Sequence, residues 1–105
     1  MKQLSGWPAE RAERHATALL YDSAECRLVA FTLAPHQAVE VHTSRSAVLC
    51  TVVAGDGTFL GSGERLPLAV GDSVGYEPDE PHGMVAGAHG LRFLAVITPG
   101  PSAER

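Results

Sequence analysis

The side chains in this chain best suited to binding a metal or moving a proton near neutral pH are its 5 histidines and 2 cysteines. Glu40, His42 and Ser44 stand at two-residue spacing, so in an extended segment all three share one face. If that face points inward, Val48, Cys50 and Val52 line the next strand, with His82 and Met84 opposite. A transition metal takes three or four donors at about 2.0–2.3 Å. His42 and His82 offer two imidazoles and Cys50 a thiolate, a chemically reasonable set for one divalent ion such as Fe, Mn, Ni, Cu or Zn. Ser44 is a poor ligand when neutral, and Glu40 has the right parity but belongs nearer the mouth. Without a metal, the same cavity is an apolar pocket of Val48, Val52, Met84 and Phe93 with two or three polar handles. That is the usual composition of a small-molecule site. A site with a metal and a site with none both remain open on these residues, and no catalytic residue follows from either.

Each of these side chains also has a plain structural reading. His42 and His82 can be rim histidines bonded to backbone or water. Cys50 is more ordinarily a small buried core residue than a ligand, and Met84 a core filler. His36, beside Pro35, and His89, in a Gly-rich turn, read as solvated surface, and His15 as structural or exposed. Trp7, just before Pro8, reads as an anchor for the N-terminal segment against the barrel or a neighbouring subunit.

Such groups need a scaffold, and the punctuation of the chain describes one. Its 11 glycines and 7 prolines cluster between short apolar runs of strand length. The pattern predicts strands over residues 15–21, 27–33, 39–43, 47–53, 58–61, 65–70 and 73–76. Two more, 82–86 and 91–98, are expected to pair across Gly87-Ala88-His89-Gly90. Residues 47–53 are apolar throughout, as expected of a strand covered on both faces, and Gly55-Asp56-Gly57 is read as the turn after it. Pro78-Asp79-Glu80-Pro81 makes a rigid loop before His82. One helix, Pro-initiated, charged and of about two turns, is predicted over residues 8–14. Strands this short, with turns at regular intervals, point to an all-β sandwich or barrel. The expected division is an N-terminal arm over residues 1–14, a barrel over 15–98 and a loose C-terminal tail over 99–105.

Composition bounds the function. A chain of 105 residues, 45% hydrophobic and 19% charged, makes one compact globular domain. No apolar run reaches the roughly eighteen residues of a membrane span, and the first residues lack the apolar stretch of a signal peptide. A cytoplasmic protein with no membrane partner is therefore expected. Net charge is −4 with no basic cluster, which argues against nucleic acid as a partner. Cys26 and Cys50 form no metal-type pair and are expected as free thiols. There is no nucleophile elbow, phosphate loop or dinucleotide fingerprint, and no carboxylate pair spaced for glycoside hydrolysis.

From His36 to Gly55 and from Gly71 to Ala86 the chain resembles the two motifs of the cupin superfamily. Pro35-His36 stands at the first motif's Pro-Gly, His42 follows at its first histidine, and Gly55 closes it. Ser44 occupies the place of the second histidine and Val48 that of the glutamate. In the second motif Gly71 and His82 match, Glu77 replaces the proline with Pro78 just after it, Asp79 replaces a glycine and Ala86 an asparagine. The resemblance implies an all-β fold, the cupin-type double-stranded β-helix, a jelly-roll-like barrel with a short N-terminal arm. It also implies a homodimer, with residues 16–21 as the expected exposed edge. In cupins with the complete motif, three histidines and a glutamate bind a divalent metal, and this chain keeps two of the four.

Three functions compete. The first is a binding module that holds a small, largely apolar or carbonyl-bearing molecule, with His42 and His82 as hydrogen-bond partners. The second is a metal-dependent dioxygenase or isomerase with His42, His82 and Cys50 on the metal. The third is an interaction scaffold with a vestigial pocket. Loss of the Glu and the second His ranks binding first, and whether the protein is an enzyme is left open.

Overall fold

The computed structural model describes residues 1–101. Its strands are β1 (Ala16–Asp22), β2 (Arg27–Leu33), β3 (Ala38–His42), β4 (Ala47–Leu60), β5 (Arg65–Ala69), β6 (Ser73–Tyr76) and β7 (His82–Thr98). All pairings are antiparallel. β4 and β7 are the spine of the barrel, because each is long enough to serve two sheets. The first half of β4 (Val48–Thr51) pairs β6, and the second half of β7 pairs β2, which in turn carries the edge strand β1. The second half of β4 pairs β5, and the first half of β7 pairs β3. Two facing sheets wound from shared strands make a double-stranded β-helix, a jelly-roll-like barrel.

The bends that let one strand cross between sheets are visible as breaks in register. β4 and β7 pair from Ala47↔Thr98 to Val52↔Phe93, slip at Val53, and slip again between Gly55 and Gly57. At the second slip Gly87-Ala88-His89-Gly90 bulges out of β7, and pairing resumes at Gly57↔Ala86. Segments 82–86 and 91–98 therefore do not pair with each other. They are two parts of one bent strand, and both pair with β4. Gly55-Asp56-Gly57 is likewise a kink within β4 and not a hairpin turn. Gly55 has φ +72°, and a Cβ there would collide with the Gly90 carbonyl, so only glycine allows the two strands to approach at the kink.

Alternation then sorts the side chains. Along β4, Val48, Cys50 and Val52 are buried, while Leu49 and Val53 remain 48% and 40% exposed. The strand is thus covered on one face within the chain, not on both. The inner rows of the two sheets meet at Phe93, whose ring stacks on Phe31 (4.5 Å between centroids) and meets Phe59 edge-on (5.3 Å). Burying one such aromatic side chain contributes about 1.5–3 kcal/mol, and Phe93 is fully buried.

Residues 8–14 form no helix. Carbonyl groups that a helix would use are taken by the barrel: Thr32 Oγ1 donates to the Pro8 carbonyl (2.8 Å), and Gln37 Nε2 donates to the Arg11 carbonyl (2.7 Å). Trp7 Nε1 donates to the same Thr32 hydroxyl (2.8 Å), so the arm is anchored against β2 of its own barrel. At the other end, Ser46 Oγ donates to the Pro99 carbonyl (2.7 Å) and Gly100 N–H to the Ala24 carbonyl (3.0 Å). The expected loose tail is therefore tied down at its start, and residues 102–105 lie outside the described residues.

Candidate functional site

β3 and β7 bring the two histidines together as direct cross-strand partners, with His42 opposite His82. Pairing starts in one register at Ala38↔Val85 and Val39↔Met84 and has slipped by one residue at His42↔His82. This β-bulge turns both Val39 and His42 toward the cavity, although their separation of three would put them on opposite faces of a regular strand. Glu40, expected on the inner face, is exposed and lies outside the lining for the same reason. Gly83 makes the tight approach possible. A Cβ there would sit 2.9 Å from the Val39 carbonyl oxygen and 3.0 Å from the Val41 nitrogen.

The ring centroids of His42 and His82 are 4.2 Å apart, with an angle of 61° between planes. His42 Nδ1 donates to the Glu40 carbonyl (2.8 Å) and His82 Nδ1 to the Glu80 carbonyl (3.0 Å). The loop that supplies the second carbonyl is held in place by its own bonds. Asp79 N–H donates to the Ser44 carbonyl (2.7 Å), and Glu80 Oε1 accepts from the Glu77 N–H (3.0 Å). Asp79 and His36, which stand at motif glycines, both keep φ at 66°, the left-handed conformation that glycine serves best.

The pair sits at the mouth of a cavity of about 80 Å³, with His42 exposed and His82 only 4% exposed. Ser44, Val48, Cys50 and Met84 line it, and Phe31, Val39, Phe93, Ala95 and Ile97 complete the apolar wall. Val52 is buried in the core but does not line the cavity. Burial lowers the pKa of His82 from its usual value, and the neighbouring His42 adds to this. The Glu80 carbonyl, a larger influence than His42, and the Glu80 carboxylate pull the other way. Burial pushes the Cys50 thiol up to about 12.

Two residues outside the expected set belong to this region. The Tyr76 ring lies 5.0 Å from that of His82, and its hydroxyl donates to the Leu60 carbonyl (2.9 Å). Alternation within β6, which faces Val74 and Tyr76 the same way, carried that signal. His15 stacks behind the wall residue Phe31 at 6.2 Å, and its pKa is lowered by burial first, then by Arg14 and by His42. His36 and His89 are exposed, as expected.

The donor set does not fit a transition-metal centre of three protein ligands. Each ring has its Nδ1–H bonded to a backbone carbonyl, as metal-binding imidazoles commonly do, which leaves Nε2 as the free nitrogen. Cys50, however, is held as a neutral thiol, and Ser44 Oγ accepts the Ser46 N–H (3.1 Å). Among the described residues no group of three or more His, Cys, Asp or Glu side chains lies close enough to hold a metal ion. His42, His82 and Cys50 share a cavity without converging as ligands.

A family model described as the cupin domain matches residues 29–97, from β2 to the end of β7. The chain belongs to the cupin family. It is similar to an RmlC-like cupin protein from Desulfovibrio desulfuricans, at 27% identity and TM-score 0.82, over 94% of this chain and 97% of that one. TT1209 from Thermus thermophilus shares the fold at 24% identity and TM-score 0.83, over 96% and 98% of the two chains. A predicted oxalate decarboxylase from Thermotoga maritima matches at 26% identity and TM-score 0.74, over 80% and 79%. No curated protein matches the chain. Cupin family members often bind a metal, and against that background the donor count of this cupin is low. Among its described residues no helix is long and apolar enough to cross a membrane.

Proposed function

We propose that this cupin is a binding protein that holds a small molecule in its barrel cavity, with His42 and His82 as the polar handles. The observation that carries this reading is the imidazole pair, fixed by two backbone carbonyls at the mouth of an otherwise apolar cavity. Aimed polar groups on a rigid apolar wall are what orientation-specific binding requires. The metal-dependent dioxygenase or isomerase reading needs a third donor, and the lining offers only a neutral thiol and a neutral hydroxyl. Oxalate, suggested by the Thermotoga maritima relative, is a dianion, and no Lys or Arg among the described residues lines this cavity. The test is a small-fragment screen by ligand-observed NMR, repeated on His42→Ala and His82→Ala. Hits that bind the parent and are lost in both variants, with melting curves retained, support the reading. Hits that bind all three proteins equally refute it. Elemental analysis of untagged protein runs alongside, and near one transition metal per chain, absent from the double variant, would restore the enzyme reading.

A homodimer forms part of the same proposal. Leu28, Val96 and Leu49 follow one another across β2, β7 and β4 on the outer face of the sheet, beside Val53 and next to the edge strand β1. A second copy covering this face would account for a strand that is apolar on both sides, and a patch of this kind can meet its own copy about a twofold axis. Light scattering over a hundredfold concentration range should return twice the chain mass, and a monomer throughout would refute it.

A further inference from the structure

A backbone carbonyl can only accept a hydrogen bond, so an imidazole that pairs with one through Nδ1 must carry its proton there. His42 does so with the Glu40 carbonyl and His82 with the Glu80 carbonyl. A neutral imidazole has one N–H, so Nε2 of each neutral ring presents a bare lone pair. Burial favours the neutral form of His82 and outweighs the Glu80 carbonyl, which pulls the other way. With both rings neutral, the cavity therefore carries a pair of acceptors at its mouth.

Among the other lining side chains only Ser44, and weakly Cys50, can donate. Phe31, Val39, Val48, Phe93 and Ile97 have neither donors nor acceptors in their side chains. No cationic side chain among the described residues lines the cavity, and Glu80 lies near enough to His82 to act on its charge. A carboxylate entering here would meet lone pairs and a neighbouring negative charge. A ketone would meet those two acceptors with its own acceptor, and would find a strong donor only at Ser44. A hydroxyl would donate to one Nε2 while its chain fills the apolar wall.

Resting on the reading of this cavity as a ligand site, we propose that it selects a neutral hydrogen-bond donor, an alcohol-type hydroxyl on a small apolar body, and discriminates against carboxylates and ketones. The volume sets the size. A cavity of about 150 Å³ accepts benzene, so one of about 80 Å³ suits a body of roughly three or four carbons. This reverses the carbonyl-bearing ligand expected from sequence, because the protons that would have served a carbonyl point at the backbone.

The probes are 2-butanol, 2-butanone and butyrate, three four-carbon skeletons that differ in the head group. Each is titrated into the full-length, 15N-labelled protein, and the His42 and His82 ring signals are followed by long-range 1H–15N spectra. Those spectra also report which ring nitrogen holds the proton. The expected result is Nδ1–H on both rings, and 2-butanol binding about fivefold to tenfold tighter than 2-butanone, the worth of about one hydrogen bond. Butyrate should give no saturable shift. Butanone or butyrate binding as tightly as the alcohol would overturn the donor selectivity and leave the ligand-site reading standing. An Nε2–H tautomer on either ring would overturn it as well. Failure of all three probes to shift either histidine would refute the ligand-site reading and the selectivity together.

Discussion

Acidification should destabilise this protein through His82. A histidine whose pKa is lowered by folding stays neutral in the native state while the unfolded chain takes up protons below the ordinary value of 6.5. The unfolded state then binds more protons, so stability falls as pH drops below that value and levels off once the folded state also protonates. With His82 only 4% exposed, the upper bound is the free energy of protonating an unfolded histidine, about 1.4 kcal/mol at pH 5.5 and about 2 kcal/mol at pH 5.0. The Glu80 carbonyl and carboxylate favour the charged ring, so the measured loss should fall below these bounds. The assay is urea unfolding at pH 7.5, 6.5, 5.5 and 5.0 on the parent and on His82→Gln. His15, whose pKa is lowered too, contributes to both proteins and cancels in the difference. The parent should lose more stability than the variant between pH 6.5 and 5.0, and the two should run parallel above pH 7. Parallel curves throughout would mean that His82 protonates freely in the fold. The bare Nε2 on which the ligand selectivity rests would then be lost in the same pH range.

Two further predictions follow from close packing. With the Cys50 thiol held at about 12, roughly one native molecule in ten thousand carries the thiolate at pH 8, so iodoacetamide should leave Cys50 unmodified in the native protein and alkylate it in urea. Rapid native alkylation of Cys50, located by peptide mass, would refute its burial as a neutral thiol. Gly83→Ala should push β3 off β7, because its Cβ would meet the Val39 carbonyl oxygen at 2.9 Å. A loss of about 1–3 kcal/mol in urea unfolding is expected, with shifted His42 ring signals. Unchanged stability and unchanged His42 signals would place the strands further apart than described.

Much of the barrel was legible because strand patterning is local. Every described strand begins within one residue of a sequence expectation, and the motif resemblance identified the family that the match over residues 29–97 shows. The errors share a cause. Residues 55–57 and 87–90 look like turns because glycine permits turns, but glycine also permits kinks inside a long strand, and only the partner strand distinguishes the two. Residues 8–14 have the makings of a short helix, yet Thr32 and Gln37, more than twenty residues away, take carbonyls that the helix would have used.

The sequence by itself sets the expectation that His42 and His82 share one pocket with Ser44, Val48 and Met84 near them, and it determined that two of the four family ligands are replaced. Tertiary structure decided the geometry. A one-residue bulge in β3 excluded Glu40 and admitted Val39, the loop over residues 77–80 placed a carbonyl on His82 Nδ1, and burial kept Cys50 a thiol. Alternation along a strand is a property of the chain. Register between strands, and with it the direction in which an imidazole can offer its lone pair, is a property of two segments far apart in the chain and is set only when they pair.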